Sequence, residues 1–229
     1  MEFEIIIIFL ICAIVSVRML FGCGKKQIVA IAKNEKLDEI AKKYPDNKEM
    51  CQEYLKMLRN GSVTVEEDKN ATNSLYIAIS NKIIIANLQE SFTRIQTIAH
   101  ECLHSIQNRK ILLFNFIYSN IYMLYFIVIS ILKLLKLLPY AMMFLVILIM
   151  GGFVYYFVRS YLENDAMIKA RFLAKEYMES KKISSSEDIH RIVCQFDKLN
   201  SLGIKCVNYV LLRNVAIKIF IFCVICIIR

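Results

Sequence analysis

The chain has 229 residues, of which 57% are hydrophobic, with a mean hydropathy of +0.48, six glycines, two prolines and a formal charge of +9. So much apolar residue, so unevenly spread, excludes a single soluble domain and a disordered chain. The basic excess comes without a basic helix or an aromatic-interleaved stripe, which argues for no nucleic acid partner and for the anionic surface of a lipid bilayer.

In chain order, the first apolar run is Ile5 to Val17, and residues 3–22 form a first transmembrane helix if Arg18 snorkels to the headgroups. A cleaved signal peptide, or a lipoprotein signal at Leu20-Phe21-Gly22-Cys23, fits less well. The leader Met-Glu-Phe-Glu is acidic where a basic region is required, and Phe21 is bulky for a cleavage context. Residues 24–110 are polar. Helical spacing covers Ile28 to Tyr44 and Asn47 to Leu58, punctuated by Pro45 and Asn60-Gly61. Strand patterns follow at Ser62 to Glu66, Leu75 to Ile79 and Ile83 to Ala86, the last two making an antiparallel hairpin across Ser80-Asn81. A helix then opens at Ser91 or Thr93, with Ile95, Ile98, Cys102 or Leu103, and Ile106 on its apolar face.

That helix carries His100-Glu101-Cys102-Leu103-His104, two of the chain's three histidines. Residues four apart share a face, so both imidazoles can hold a zinc ion, while Glu101, about 100° round the helix, can act on a water molecule. The chemistry implied is metal-assisted hydrolysis, with Glu101 as general base.

Residues 111–132 and 139–158 are uncharged runs long enough to span a bilayer, joined by a turn with Lys133 and Lys136. Such a hairpin returns the chain to the side it left, so residues 159–205 share a face with residues 24–110. Leu162 to Ser180 is helical. Ser184-Ser185-Ser186-Glu187 reads as a capping box for a further helix, with Gly203 as its stop. Residues 207–228 make a fourth span, interrupted by Arg213 and by Lys218, for which the sequence names no partner. The eight cysteines suggest no disulfide framework, and free thiols are expected; Cys223 and Cys226, the one close pair, read as packing.

Catalytic zinc needs a third protein ligand. Glu163, Asp165, Glu176, Glu179 and His190 are available. On continuing helices His104 and Glu163 stand roughly 10 Å and 8 Å from the bilayer boundary, so neighbouring spans bring them together. Glu176 and Glu179 lie three to four turns further on. Asp165 reads as a residue that orients a ligand or as surface charge, and His190 remains the alternative ligand.

Thr97 to Gln107, preceded by the strand-rich Leu75 to Leu88 and followed after two spans by Glu163-Asn164-Asp165-Ala166, resembles the YugP-like membrane zinc metallopeptidases. These are distant relatives of the HtpX and CaaX-protease type, and the resemblance extends over most of the chain. Two positions depart from the pattern: Cys102-Leu103 between the histidines, and Asn164. The resemblance implies a predominantly α-helical integral membrane protein with four transmembrane helices and a small α+β zincin-like catalytic domain. It further implies Zn2+ held by His100, His104 and Glu163, Glu101 as catalytic base, and a peptide or membrane-protein substrate. An extended peptide would lie along Ile83 to Ala86 if that strand is an edge. Two alternatives stand beside it: a site-2-type intramembrane protease, and a non-catalytic membrane adaptor with a structural or lost zinc site. Arg18, Lys25, Lys26, Arg109, Lys110 and Arg159 put the polar segments in the cytoplasm of a multi-pass cell-membrane protein, where the acceptor patterns Asn60-Gly61-Ser62 and Asn70-Ala71-Thr72 carry no meaning. Lys133, Lys136 and Arg229 argue the other way.

Overall fold

The computed structural model describes residues 2–21, 25–68, 70–71, 73–86 and 91–229. Gly22-Cys23-Gly24, Thr72, and Asn87-Leu88 at the end of the strand-rich stretch lie outside the described residues. The chain is mostly helical: α1 (Glu2–Phe21), α2 (Lys25–Ala32), α3 (Glu35–Ala41), α4 (Asn47–Met57), α5 (Thr93–Ile106), α6 (Arg109–Leu134), α7 (Ala141–Lys181) and α8 (Ser186–Ile228). A three-stranded sheet is formed by β1 (Thr64–Asp68), β2 (Leu75–Ile77) and β3 (Lys82–Ala86). Among the described residues α6, α7 and α8 are long and apolar enough to cross a membrane.

The contacts divide the chain into two units: Met1–Cys23, Phe114–Tyr161 and Lys205–Arg229; and Gly24–Leu113 with Leu162–Ile204. The first unit is a helical bundle whose core includes Tyr122, Leu145, Leu148, Phe222 and Cys223. Lys218 has found partners here. Its ammonium lies 5.6 Å from the centre of the Tyr122 ring and donates to the Asn214 carbonyl. Gly152 permits this packing, because a Cβ there would stand 2.4 Å from Val215 Cγ1 and 2.7 Å from the Tyr122 hydroxyl.

The second unit folds α2–α5, the sheet and the polar parts of α7 and α8 around Met50, Tyr54, Ile83, Ile95, Ile98, Tyr177 and Phe196, all buried. Local chemistry sets several boundaries. The helix expected over Ile28 to Tyr44 is two helices, because Asn34 turns extended and its side chain accepts from the Leu37 amide. Asp46 caps α4 in the same way. At the start of α8 the capping serine is Ser185, paired with Asp188, one residue later than the sequence suggested. Gly203 is not a stop. It sits inside α8, where its missing side chain makes room for Met167, whose Cε lies 2.5 Å from where a Cβ would be. Neither α7 nor α8 breaks where its apolar and polar parts meet, since neither has a proline to break it.

The hairpin is antiparallel, with Tyr76 opposite Ile83, and Asn81 takes the left-handed turn position at φ 49°. Ile83 to Ala86, which the sequence left open as an edge or an internal strand, is the central strand: the order is β1-β3-β2, and β1 pairs with it in parallel from Thr64 to Asp68. Ile83 and Ile85 on one face of it, and Ala86 on the other, are buried. Cys206 is disulfide-bonded, so the thiols are not all free as expected.

Candidate metal centre

α5 presents the histidines because its other face is buried. Ile95, Ile98, Ala99 and Cys102 are wholly enclosed, which fixes the helix's rotation and turns His100 and His104 to the opposite side. The N-terminal end is held by Arg94. Its guanidinium donates to the carbonyls of Ala41, Tyr44 and Pro45 and to Asn47 Oδ1, at 2.8–3.0 Å. Asn60 donates from the other end to the Ser105 carbonyl and hydroxyl.

His100 and His104 meet through their Nε2 atoms at 3.0 Å, and Glu163 Oε2 of α7 stands 3.5 Å from the first and 3.7 Å from the second. No other group of three or more His, Cys, Asp or Glu side chains among the described residues converges in this way. Two ligands on a tetrahedral zinc, each ~2.0–2.2 Å from it, stand roughly 3.3–3.5 Å apart. The three donors, 3.0–3.7 Å apart, bracket that spacing, and two imidazoles with one carboxylate are a set that zinc accepts. The residues fit the ion.

Gln107 sets the proton on His104. Its amide nitrogen donates to the Leu162 carbonyl and to Asp165 Oδ2, which turns Oε1 toward His104 Nδ1 at 2.8 Å. Nδ1 must then carry the hydrogen, leaving the Nε2 lone pair for a metal. Asp165 thus acts on the ligand through Gln107, and it is also paired with Lys169 at 2.6 Å. Burial pushes the Asp165 carboxyl up, but bonds from Lys169 and Gln107 outweigh it, and the net direction is down.

Glu101 is 8% exposed. Burial raises its pKa, the neighbouring His100 and His104 offset part of that rise, and Glu163 adds to it. The Tyr76 backbone of edge strand β2 pulls the pKa down slightly. For His104, burial lowers the pKa, but Glu163, Glu101 and Gln107 together outweigh it, so the imidazole holds its proton above its ordinary range.

His190 is exposed on α8, 3.6 Å from Cys194 Sγ and outside the cluster; Glu176 and Glu179 are exposed as well. Sequence reasoning missed Arg94, Gln107 and Tyr76. Gln107 carried a faint signal, three residues after a histidine at a helix end, but its partners lie on another element. Comparison with protein families, with characterised proteins and with solved structures returned no match.

Proposed function

We propose that the chain is a membrane-embedded zinc metallopeptidase of the YugP-like kind, hydrolysing peptide bonds in peptide or membrane-protein substrates. The observation that carries the reading is the convergence of His100, His104 and Glu163 with a buried carboxylate, Glu101, close enough to feel all three. In this reading the second unit is a zincin-like catalytic domain, α1 joins α6, α7 and α8 as a fourth span, and the domain faces the cytoplasm. Zinc held by His100, His104 and Glu163 supplies the Lewis acidity that polarises a carbonyl and acidifies water.

The chain's own residues do the rest. Glu101 takes one proton from the attacking water and returns it to the nitrogen of the leaving amine, so the base is regenerated as amide and water become a carboxylic acid and an amine. Its raised pKa favours both steps near neutral pH, as does its seclusion from solvent. Gln107 and Asp165 hold His104 in one tautomer. β2, the edge strand whose Tyr76 meets Glu101, replaces Ile83 to Ala86 as the place for an extended peptide.

A site-2-type enzyme would carry the pentapeptide inside a span. Here α5 is a separate 14-residue helix, distinct from the three long apolar ones. Glu101→Gln in purified protein is expected to keep bound zinc and lose peptide cleavage, read by comparing newly formed peptide termini in membranes with and without the enzyme. Cleavage retained by the variant would sink the proposal. A non-catalytic adaptor would show no new termini with either protein, and its closed zinc site would refuse hydroxamates.

A further inference from the structure

The first unit contains an apolar cavity of about 260 Å3 lined by α1, α7 and α8, with Leu10, Ile14, Phe153 and Leu212 among its walls. One charged residue, Arg213, contributes to it. The guanidinium of Arg213 lies 6.0 Å from the centre of the Tyr209 ring, which also lines the cavity, and no acidic side chain pairs with it among the described residues. We infer that this cavity is a binding site for one acyl chain of an anionic lipid whose phosphate is held by Arg213.

Three observations converge on that occupant. Apart from Arg213 and Tyr209 the lining side chains are all apolar, and a hydrocarbon chain needs only apolar contact. The volume falls below the ~300–1,000 Å3 of a site for a drug-sized molecule, which suits a single chain and not a whole two-chained lipid. Arg213 interrupts the apolar run 207–228 only six residues from its start, roughly 9 Å along the helix, from where a long side chain reaches the phosphate level. A cation left without a carboxylate in such a run calls for a counter-ion, and lipid phosphate is the anion a bilayer supplies there. The paired N–H groups of a guanidinium match two phosphate oxygens. A zwitterionic lipid can fill the cavity with its chain, but its ammonium offsets the gain at Arg213.

The inference rests on the chain's crossing of a bilayer and is independent of the metal centre. The chain has no tryptophan, so a single one introduced as a reporter is unambiguous. Phe153→Trp places it in the cavity wall, and Phe116→Trp on an exposed face of α6 that does not line the cavity. Each full-length protein is reconstituted at fixed ionic strength with brominated phosphatidylglycerol or brominated phosphatidylcholine, and fluorescence quenching is followed against the mole fraction of quencher. The cavity reporter should be half-quenched at an anionic mole fraction roughly fivefold lower than the zwitterionic one, a preference of the size one basic residue gives. The α6 reporter should show no such gap. Adding Arg213→Gln to Phe153→Trp should close the gap, while Arg213→Lys should keep part of it and thereby report a folded protein. Equal curves at Phe153→Trp, or the same gap at both reporters, would overturn the proposal. Zinc binding measured on the same samples should be unaffected by Arg213→Gln, so failure here and failure of the metal centre read out separately.

Discussion

Gln107 makes two bonds with its amide nitrogen so that its oxygen can hold one histidine proton. Gln107→Leu removes the acceptor while roughly keeping the volume, and His104 is then free to put its hydrogen on Nε2. Zinc affinity, measured by competition with a chelating dye, should fall about 10–100-fold without loss of the helical circular dichroism signal. Protonation gives a second test. In the metal-free protein His104 has a raised pKa, so its attraction to Glu163 stabilises the fold below about pH 6.5 and is lost as pH rises through the raised value. Zinc demands the neutral ring, so its stabilisation grows over the same range. The gap in melting temperature between zinc-loaded and chelator-treated protein should therefore widen from about pH 5.5 to pH 8. A gap that stays flat or narrows would speak against His104 as a ligand. His100, Glu101 and His104 were legible because a helix fixes i, i+4 geometry without reference to the rest of the chain. Gln107 and Arg94 were not. Their partners lie 55–58 residues away on α7, for Gln107, and 47–53 residues away around α3 and the turn into α4, for Arg94.

Two glycines separate what a helix prefers from what packing demands. Gly203 lies mid-helix, and only the flexible tip of Met167 opposes a Cβ there. Gly203→Ala should leave stability unchanged or raise it by up to about 1 kcal/mol, since alanine is the better helix former. A helix stop at this position would give the opposite sign. Gly152 faces Val215, a stiff β-branched side chain, and the Tyr122 hydroxyl. Gly152→Ala should therefore destabilise by about 1–3 kcal/mol despite the same gain in propensity, read as earlier thermal unfolding in detergent. The one cap read in the sequence, at Ser184 to Glu187, fell a residue early, and those at Asn34 and Asp46 went unread although each acts on an amide only three residues on. The sheet order was not legible: β1 reaches β3 across β2, so a pairing of residues 64–68 with 82–86 leaves no mark on the adjacent sequence. A run of Ile83-Ile84-Ile85 bounded by turns suits an edge and a centre equally until its neighbours are known.

For the whole molecule, the reading that the catalytic unit is cytoplasmic meets a direct test at Cys194, a free and partly exposed thiol on α8. A membrane-impermeant maleimide should leave Cys194 unlabelled in intact cells and label it once the membrane is opened; labelling of intact cells would reverse the orientation. The long apolar helices explain why composition alone pointed to a membrane, whereas the number of spans rests on α1, which carries Glu2, Glu4 and Arg18 in 20 residues. One consequence reaches from a single side chain to the behaviour of the whole. All four hydrogen-bond acceptors of Arg94 are carbonyl oxygens of the backbone or of Asn47, and none of them titrates. Protons that drive a metal off its histidines leave these bonds alone. Acid can thus empty the centre while α5 keeps its seat, and neutralisation meets ligands still in register instead of a helix that must first be folded back.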